Sequence, residues 1–530
     1  MSTAKNGLLC GLSAALLLTS ACSGNSAAPN SADSASQKVD DNKTYTIKYE
    51  RFSLRPFQPP QDNPLDAMLK KDLNVNLKVD VTVGNYDNWL KQFNTRVASG
   101  DLPDIVQLQR ADLVRFAKNG TLIPIDDLLK QTPELKKRID DANWMFASVD
   151  KKIYGVPWLN PVGFFNSIVI RKDWLDRLNL KMPTTTDELF EVLKAFTFND
   201  PDGNGKQDTF GLTGEISFVT FSALTNSFGL PQFGGSKEGI PDDWIDSQGK
   251  LHFGPISDEY KQYLQFMNKL YAAKVLDPDI ATINTALFQQ KMVQGQVGVG
   301  MMFNPHMNFF TGRPWLENIK KADSKANWVY LSPVKGPGGL AGNNSSSPSS
   351  QYSTAVTKAA LSEPGKAAKI VQLLSYMYRE GFTGGKGGQF VDFGMDGVHH
   401  KETNGKITQV LPKLAVDQNS YLTNYTMGGE VNHLDPIKLQ ASEVEYKWFE
   451  KLNAEKSKNS RIVNFFYGTL PFVYDGDTYV KEMSLKFIYG KEDLGKWNEY
   501  VQTLNDRYQY KKVQETRIKE LQDMGIYKGK

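Results

Sequence analysis

One stretch carries a spacing of oxygen donors suited to a hard cation. Asp200, Asp202, Asn204, Lys206 and Asp208 fall at positions 1, 3, 5, 7 and 9 of an EF-hand-like loop, with Gly205 at position 6, where the chain must turn sharply. The acids and the amide would offer side-chain oxygens and Lys206 a backbone carbonyl. Position 12 is Gly211, so the usual bidentate Glu is missing; Thr209 or Glu215 is the nearest substitute. The spacing predicts a structural Ca2+, and the alternative is a polar Asp-Gly and Asn-Gly turn without an ion. Catalytic chemistry is sparse by comparison. No Gly-x-Ser-x-Gly elbow, Walker loop or His-Glu-x-x-His occurs, and of five His only His399 and His400 are adjacent. Asp475 and Asp477, beside Phe472 and Tyr474, form the best placed carboxylate pair for glycoside hydrolysis, though Gly476 between them also fits a solvated turn.

These groups belong to a chain too long for one core. At 530 residues, with 40% apolar, it should divide into two or more globular bodies. The formal charge of +3 is spread without a long basic run, which argues against nucleic acid as a partner. Nine Trp and 22 Tyr provide apolar faces for an amphipathic ligand as well as for the core.

The N-terminus reads as a secretory signal: Lys5, an apolar run from Leu8 to Leu18, then Leu-Thr-Ser-Ala-Cys ending at Cys22. The run is too short to span a membrane as a helix. Its end is similar to a bacterial lipobox, with Thr19 where Leu is more usual, so residues 1–21 are expected to be removed and Cys22 to carry lipid. A soluble secreted protein cleaved near Ala21 is the alternative. Cleavage removes Cys10 and leaves no second thiol for a disulfide. Residues 22–43, rich in Ser, Ala, Asn and Asp, should be a flexible tether spanning about 25 Å.

Beyond the tether, strands alternate with helices. Tyr45, Ile47 and Tyr49 alternate as a strand, a helix begins near Asn63, Val75 to Val83 alternates again, Tyr86 to Ala98 is helical, and Ile105-Val106 starts a third strand. This order predicts an α/β fold with parallel strands, whose ligands bind beyond the strand carboxyl ends. The segment from Ile153 to Trp174 holds Pro157 and Pro161 among aromatics and amides, so an exposed extended connection is expected to precede a buried strand from Ser167 to Ile170. Thr185 and Glu188 have capping-box spacing ahead of Leu189, Phe190, Val192, Leu193 and Phe196. Asp258 to Ala273 and Asn284 to Gln294 are helical by periodicity, and Val297 to Met302 is a strand. From Leu434 onward the chain reads mainly helical.

Several segments in order resemble one family. Ala98-Ser-Gly-Asp-Leu-Pro-Asp104, Leu122-Ile-Pro-Ile-Asp-Asp127, Lys152-Ile-Tyr-Gly-Val-Pro157, Ile170-Arg-Lys-Asp-Trp-Leu175, Met182-Pro183-Thr184, the acidic loop and Phe393-Gly-Met-Asp-Gly-Val-His399 are similar to the family 1 extracellular solute-binding lipoproteins of bacterial ABC importers, in the branch tied to oligosaccharide uptake. The resemblance implies a two-lobed periplasmic-binding-protein-like fold, each lobe a sheet flanked by helices, hinged between lobes. Residues 44–157 and 334–385 would form the first lobe, and 158–333 and 386–530 the second. Crossings are expected within Ile153 to Trp174, within Trp328 to Pro337, and near Gly384 to Phe393. Some relatives carry calcium in a loop like that at 200–208.

A pyranose presents apolar C–H faces and a ring of hydroxyls, so a sugar site pairs flat aromatics with amide and guanidinium groups. The candidates are Arg51, Gln107, Gln109, Arg110 and Tyr352 from the first lobe and Trp158 and Asn160 from the crossing. The second lobe would add Trp244, Phe303, Asn304, His306, Trp315 and His399. His306 stands where the resembled family often has an aromatic. The expected protein is a monomeric, lipid-anchored extracytoplasmic binding protein that captures an oligosaccharide between two lobes and delivers it to an ABC permease, with no catalysis. The alternatives are a surface glycoside hydrolase and a binder of a non-sugar solute such as a peptide. Trp158→Ala is expected to weaken binding with little loss of fold stability.

Overall fold

A computed structural model of the chain describes residues 38–159, 167–214, 220–231, 240–246, 248–280, 282–302, 315–341, 352–430, scattered positions from 439 to 463, and 470–529. The first body begins with β1 (Tyr45–Ser53), α1 (Pro64–Leu73), β2 (Val75–Val83), α2 (Tyr86–Ser99), β3 (Ile105–Gln109), α3 (Arg110–Lys118) and β4 (Gly155–Leu159). Local signals set these boundaries. Asn63 and Asn85 cap α1 and α2 by accepting from the backbone N–H of Leu65 and Asn88, and Asn74 and Gly100 end them in the left-handed region.

The second body takes β5 (Ser167–Arg171), α4 (Thr186–Phe198), β6 (Phe210–Gly214), α5 (Asp258–Ala272), α6 (Thr285–Val293), β7 (Val297–Met302) and β8 (Trp328–Leu331). The cap of α4 differs slightly from the reciprocal box: Thr185 Oγ1 accepts from Glu188 N, but Glu188 Oε2 accepts from Thr184 N at 2.7 Å rather than from Thr185. The chain then returns to the first body as β9 (Tyr352–Val356), α7 (Lys366–Tyr376), α8 (Lys386–Phe393), α9 (Pro412–Ser420) and β10 (Gly429–Glu430). It ends in the second body with α10 (Gly476–Ile488), α11 (Trp497–Asp506) and α12 (Tyr510–Asp523).

Each body has its own sheet and its own apolar core. The first sheet runs β10-β4-β9-β3-β1-β2, with β1 parallel to both β2 and β3 and β9 antiparallel to β3 and β4. The second runs β8-β5-β7-β6. Tyr45, Ile47, Ile105, Val156, Ile370, Phe390, Leu414 and Tyr425 pack together on one face of the first sheet, and Trp89, Phe93, Val106 and Phe116 on the other. Val169, Phe196, Leu264, Val299, Leu331, Phe487, Tyr500 and Val513 share the second core.

Three expectations change here. Gly155 to Leu159 is no exposed connection but a fully buried strand between β9 and β10. Pro157 is accommodated there opposite Ser353 of β9. Residues 386–430 pack in the first core through Phe390, Val391, Leu414, Tyr421 and Met427, whereas the resemblance puts 386–530 in the second lobe. A third crossing near Gly384 to Phe393 is therefore replaced by one between β10 and α10. Finally, Trp328–Leu331 and Val334 stay in the second core, so the return path lies after them. The motifs are local, while membership of a core depends on which apolar face a helix meets. Among the described residues no helix is long and apolar enough to cross a membrane. Cys22 and the expected signal and tether up to residue 37 lie outside the described residues.

Candidate functional site

The pleat of the first sheet gathers a polar cluster near the carboxyl ends of β1 and β3. Side chains two apart share a face, so Tyr49 and Arg51 of β1 lie on the side occupied by Ile105 and Gln107 of β3. Gln107 pairs with Thr354 of β9, and Thr354 with Val156 of β4, which brings Trp158 onto the same side. Every one of these side chains is buried. Strand pairing thus joins residues about three hundred positions apart.

The contacts within the cluster are specific. Trp158 Nε1 donates to Thr354 Oγ1 at 2.8 Å, and the Tyr352 ring meets the indole edge-on with centroids 5.9 Å apart. The Arg51 guanidinium lies 5.0 Å from the centre of the Trp158 ring, in cation–π range. Arg51 Nε donates to Phe52 O at 3.1 Å and Nη1 to Thr423 O at 2.9 Å. Tyr49 Oη donates to Thr426 O, and Arg379 grips Asp392 through Nε at 2.7 Å and Nη2 at 2.6 Å while Nη1 donates to Thr426 Oγ1. Burial lowers the Arg51 pKa and raises that of Tyr49, and the Arg379 charge pushes Arg51 further down. The guanidinium stays protonated near neutral pH. Gln107 Oε1 is buried without a hydrogen-bond partner among the described residues.

Gln109 and Tyr352 face each other across β3 and β9. Tyr352 is half-buried, 5.4 Å from Phe52, and Tyr86 Oη accepts from Gln109 N at 3.1 Å while donating to Asp112. The result is a cluster of aromatic rings beside guanidinium and amide groups, suited to a ligand with apolar faces and hydroxyls.

Arg110 points elsewhere. It donates through Nη1 to Phe146 O at 3.3 Å and to Ser148 O, and it lines a cavity of about 550 Å³ between the bodies. Lys118, Asp150 and Lys151 border that cavity on one side, and Pro471, Lys519, Glu520 and Asp523 on the other. Burial takes the Arg110 pKa down to about 10, and the nearby Glu520 and Asp150 charges oppose that fall.

Two expected contacts are structural instead. Trp244 is 1% exposed within the second core, its ring stacked on His252 with centroids 4.6 Å apart. No free indole face is left for a sugar. His399 belongs to the first body; its Nδ1 accepts from Met395 N at 2.9 Å, which leaves the proton on Nε2 for Asp417 Oδ2 at 2.8 Å. Both nitrogens are thereby used in joining α8 to α9. Asn160, Phe303, Asn304 and His306 lie outside the described residues, as does the side chain of Trp315. Thr354, Thr423 and Arg379 escaped the sequence reading because no local pattern marks them; only strand pairing places them beside Arg51.

The acidic loop joins α4 to β6. Asp200 (φ 46°) and Gly205 (φ 77°) adopt the left-handed region, and Asn204 N and Gly205 N both donate to the Asp200 carboxylate. Asn204 Nδ2 donates to Asp202 at 2.8 Å and to Asp208 at 3.2 Å, so the amide holds the two carboxylates together. Partial burial raises the Asp202 pKa, and the charges of Asp208 and Asp200 add to that rise. Among the described residues no group of three or more His, Cys, Asp or Glu is arranged around a metal position. Thr209, expected as a substitute ligand, is buried with Oγ1 donating to Phe196 O at 2.8 Å; Glu215 lies outside the described residues. Asp475 and Asp477 occupy the cap and first turn of α10, where the helix dipole favours carboxylates.

Two α/β bodies, each with its own sheet and core, and a polar aromatic cluster at the carboxyl edge of one sheet, define the class of two-lobed solute-binding proteins. The family model described as bacterial extracellular solute-binding protein matches residues 57–382, more than half of the chain, and the chain belongs to that family. It is 34% identical over 253 residues to the polygalacturonan/rhamnogalacturonan-binding protein YtcQ of Bacillus subtilis, covering 46% of this chain and 47% of that one. It is 31% identical over 291 residues to the fructooligosaccharide ABC transporter substrate-binding protein FusA of Streptococcus pneumoniae, covering 51% and 52%. The chain spans about half the length of the curated relatives it matches. A FusA EF-hand mutant in complex with fructo-nystose superposes with a TM-score of 0.64 at 18% identity, covering 91% of this chain and all of that one, which shows the shared fold.

Proposed function

We propose that this protein binds an oligosaccharide between its two bodies and delivers it to an ABC permease, held at the outer face of the cell membrane by lipid on Cys22. The observation that carries the reading is the cluster of Trp158, Tyr352, Arg51 and Gln107 at the carboxyl edge of the first sheet, which matches the amphipathic surface of a pyranose. Two relatives whose names specify polysaccharide or oligosaccharide ligands support it. In this reading the protein acts as a monomer without catalysing a reaction; Asp475 at the N-cap and Asp477 in the first turn of α10 sit where the helix dipole favours carboxylates.

The loop at 200–208 holds a structural Ca2+ in this reading. Asp200, Asp202, Asn204, the Lys206 carbonyl and Asp208 would be its ligands. What supports the ion is the spacing of the oxygen donors and the Asn204 amide that holds the Asp202 and Asp208 carboxylates together. The carboxylates are not yet gathered around one point, so binding would require Asn204 to release them and turn its oxygen inward. Bound calcium would fix the junction between α4 and β6.

A thermal-shift screen of the mature chain against neutral and acidic oligosaccharides and short peptides, with and without a calcium chelator, tests both statements. A rise in melting temperature with a sugar supports the binding reading, and a rise with peptides alone ends it. A chelator that leaves the melting temperature of the sugar-free protein unchanged removes the calcium.

A further inference from the structure

Among the described residues, most buried cations are matched by a carboxylate. Lys291 meets Asp277 at 2.6 Å, Lys366 meets Asp104 at 2.7 Å, Arg171 meets Asp173 at 2.6 Å, and Arg379 meets Asp392. Arg51 departs from this pattern, as does Arg110, whose Nη1 donates to the Phe146 and Ser148 carbonyls in the cavity between the bodies; of the two, only Arg51 has an indole beside it among the described residues. Arg51 is 8% exposed, its partners are two backbone carbonyls, the Tyr49 hydroxyl and the Trp158 ring, and no carboxylate pairs with it among the described residues. Its charged neighbour is the like-charged Arg379, whose one carboxylate, Asp392, is already engaged. The cluster therefore carries a net positive charge in a place where burying an unpaired charge is costly.

The free energy is recovered if something else brings the carboxylate. A guanidinium can pair with a carboxylate through two parallel N–H bonds, whereas Arg51 meets neutral oxygens alone among the described residues. Gln107 Oε1, one strand away on the same face, is a buried acceptor that wants a donor such as a hydroxyl. The unmet needs are thus an anionic oxygen pair and a hydroxyl, next to an indole. A uronic acid residue offers all three complements on one ring.

We propose that the solute is an acidic oligosaccharide, with a uronate carboxylate seated on Arg51 beside Trp158 and a ring hydroxyl on Gln107. This rests on the oligosaccharide reading above.

Isothermal titration at pH 7 compares galacturonate and mannuronate oligomers with the same oligomers carboxyl-reduced to neutral sugars, and with a neutral fructan and a short acidic peptide. The acidic form of at least one oligomer should bind about tenfold tighter or more than its reduced form, the scale of one charge-assisted hydrogen bond. Arg51→Gln should erase that preference. Equal or tighter binding of the reduced form overturns the inference, and so does binding of the neutral fructan alone, which leaves the oligosaccharide reading standing. Binding of the peptide alone, or of none of the probes, overturns both. Should Arg51→Gln not fold, the wild-type ratio decides; a variant that folds with the ratio unchanged makes Arg51 a structural residue and also overturns the assignment.

Discussion

Trp158 shows how one side chain serves two ends. Its type and its setting among prolines and amides point to a ligand contact whose removal would cost the fold little. The structure makes it 8% exposed, hydrogen-bonded to Thr354 and packed on Tyr352 and Arg51. Truncating a buried Trp costs about 3–5 kcal/mol, so Trp158→Ala should lower the urea midpoint clearly as well as weaken sugar binding. Trp158→Phe keeps a ring over which Arg51 can lie but loses the bond to Thr354, worth about 1 kcal/mol. Urea unfolding and titration of both variants separate the effects; an unchanged midpoint in Trp158→Ala would restore the simpler reading. The aromatic and amide types were legible in the sequence. Burial was not, because Trp158 is covered by residues from β1 and β9.

At the scale of elements, β4 is the strand that presents Trp158, and its fit depends on Gly155. A Cβ there would stand 2.5 Å from Thr354 O and 2.9 Å from Ala355 Cα, backbone atoms of the paired strand that cannot rotate away. Gly155→Ala should push β4 from β9, cost about 1–3 kcal/mol in the urea midpoint, and weaken sugar binding by displacing Trp158 relative to Thr354. Loss of stability with full affinity would detach the site from this pairing. The helices were more readable than this strand. Asn63, Asn85 and Gly100 mark their ends locally, whereas Pro157 misdirected the reading of β4 toward an exposed connection.

At the scale of the molecule, two bodies with separate cores face each other across a cavity of about 550 Å³ lined from both sides. A ligand that touches both bodies gains contacts only when they close, so it shifts the population toward the closed form. Small-angle scattering should show a smaller radius of gyration when the protein is saturated with its oligosaccharide. An unchanged radius at saturation would confine binding to one body. The packing of residues 386–430 in the first core also means that the last crossing between the bodies comes after β10 rather than near Gly384 to Phe393.

The sequence by itself determined the class of this protein. Alternating strand and helix signals, caps and the ordered family motifs depend on neighbours within about thirty residues, and they specified an α/β solute-binding protein and the oxygen-rich loop at 200–208. Only the tertiary structure decided which aromatics are core, as with Trp244 against His252, and which body owns α8 and α9. It alone placed Arg51 beside Arg379 with no carboxylate paired to it among the described residues. The reason is physical: burial and charge balance are properties of faces brought together from distant parts of the chain, and no local pattern of residue types encodes which faces meet.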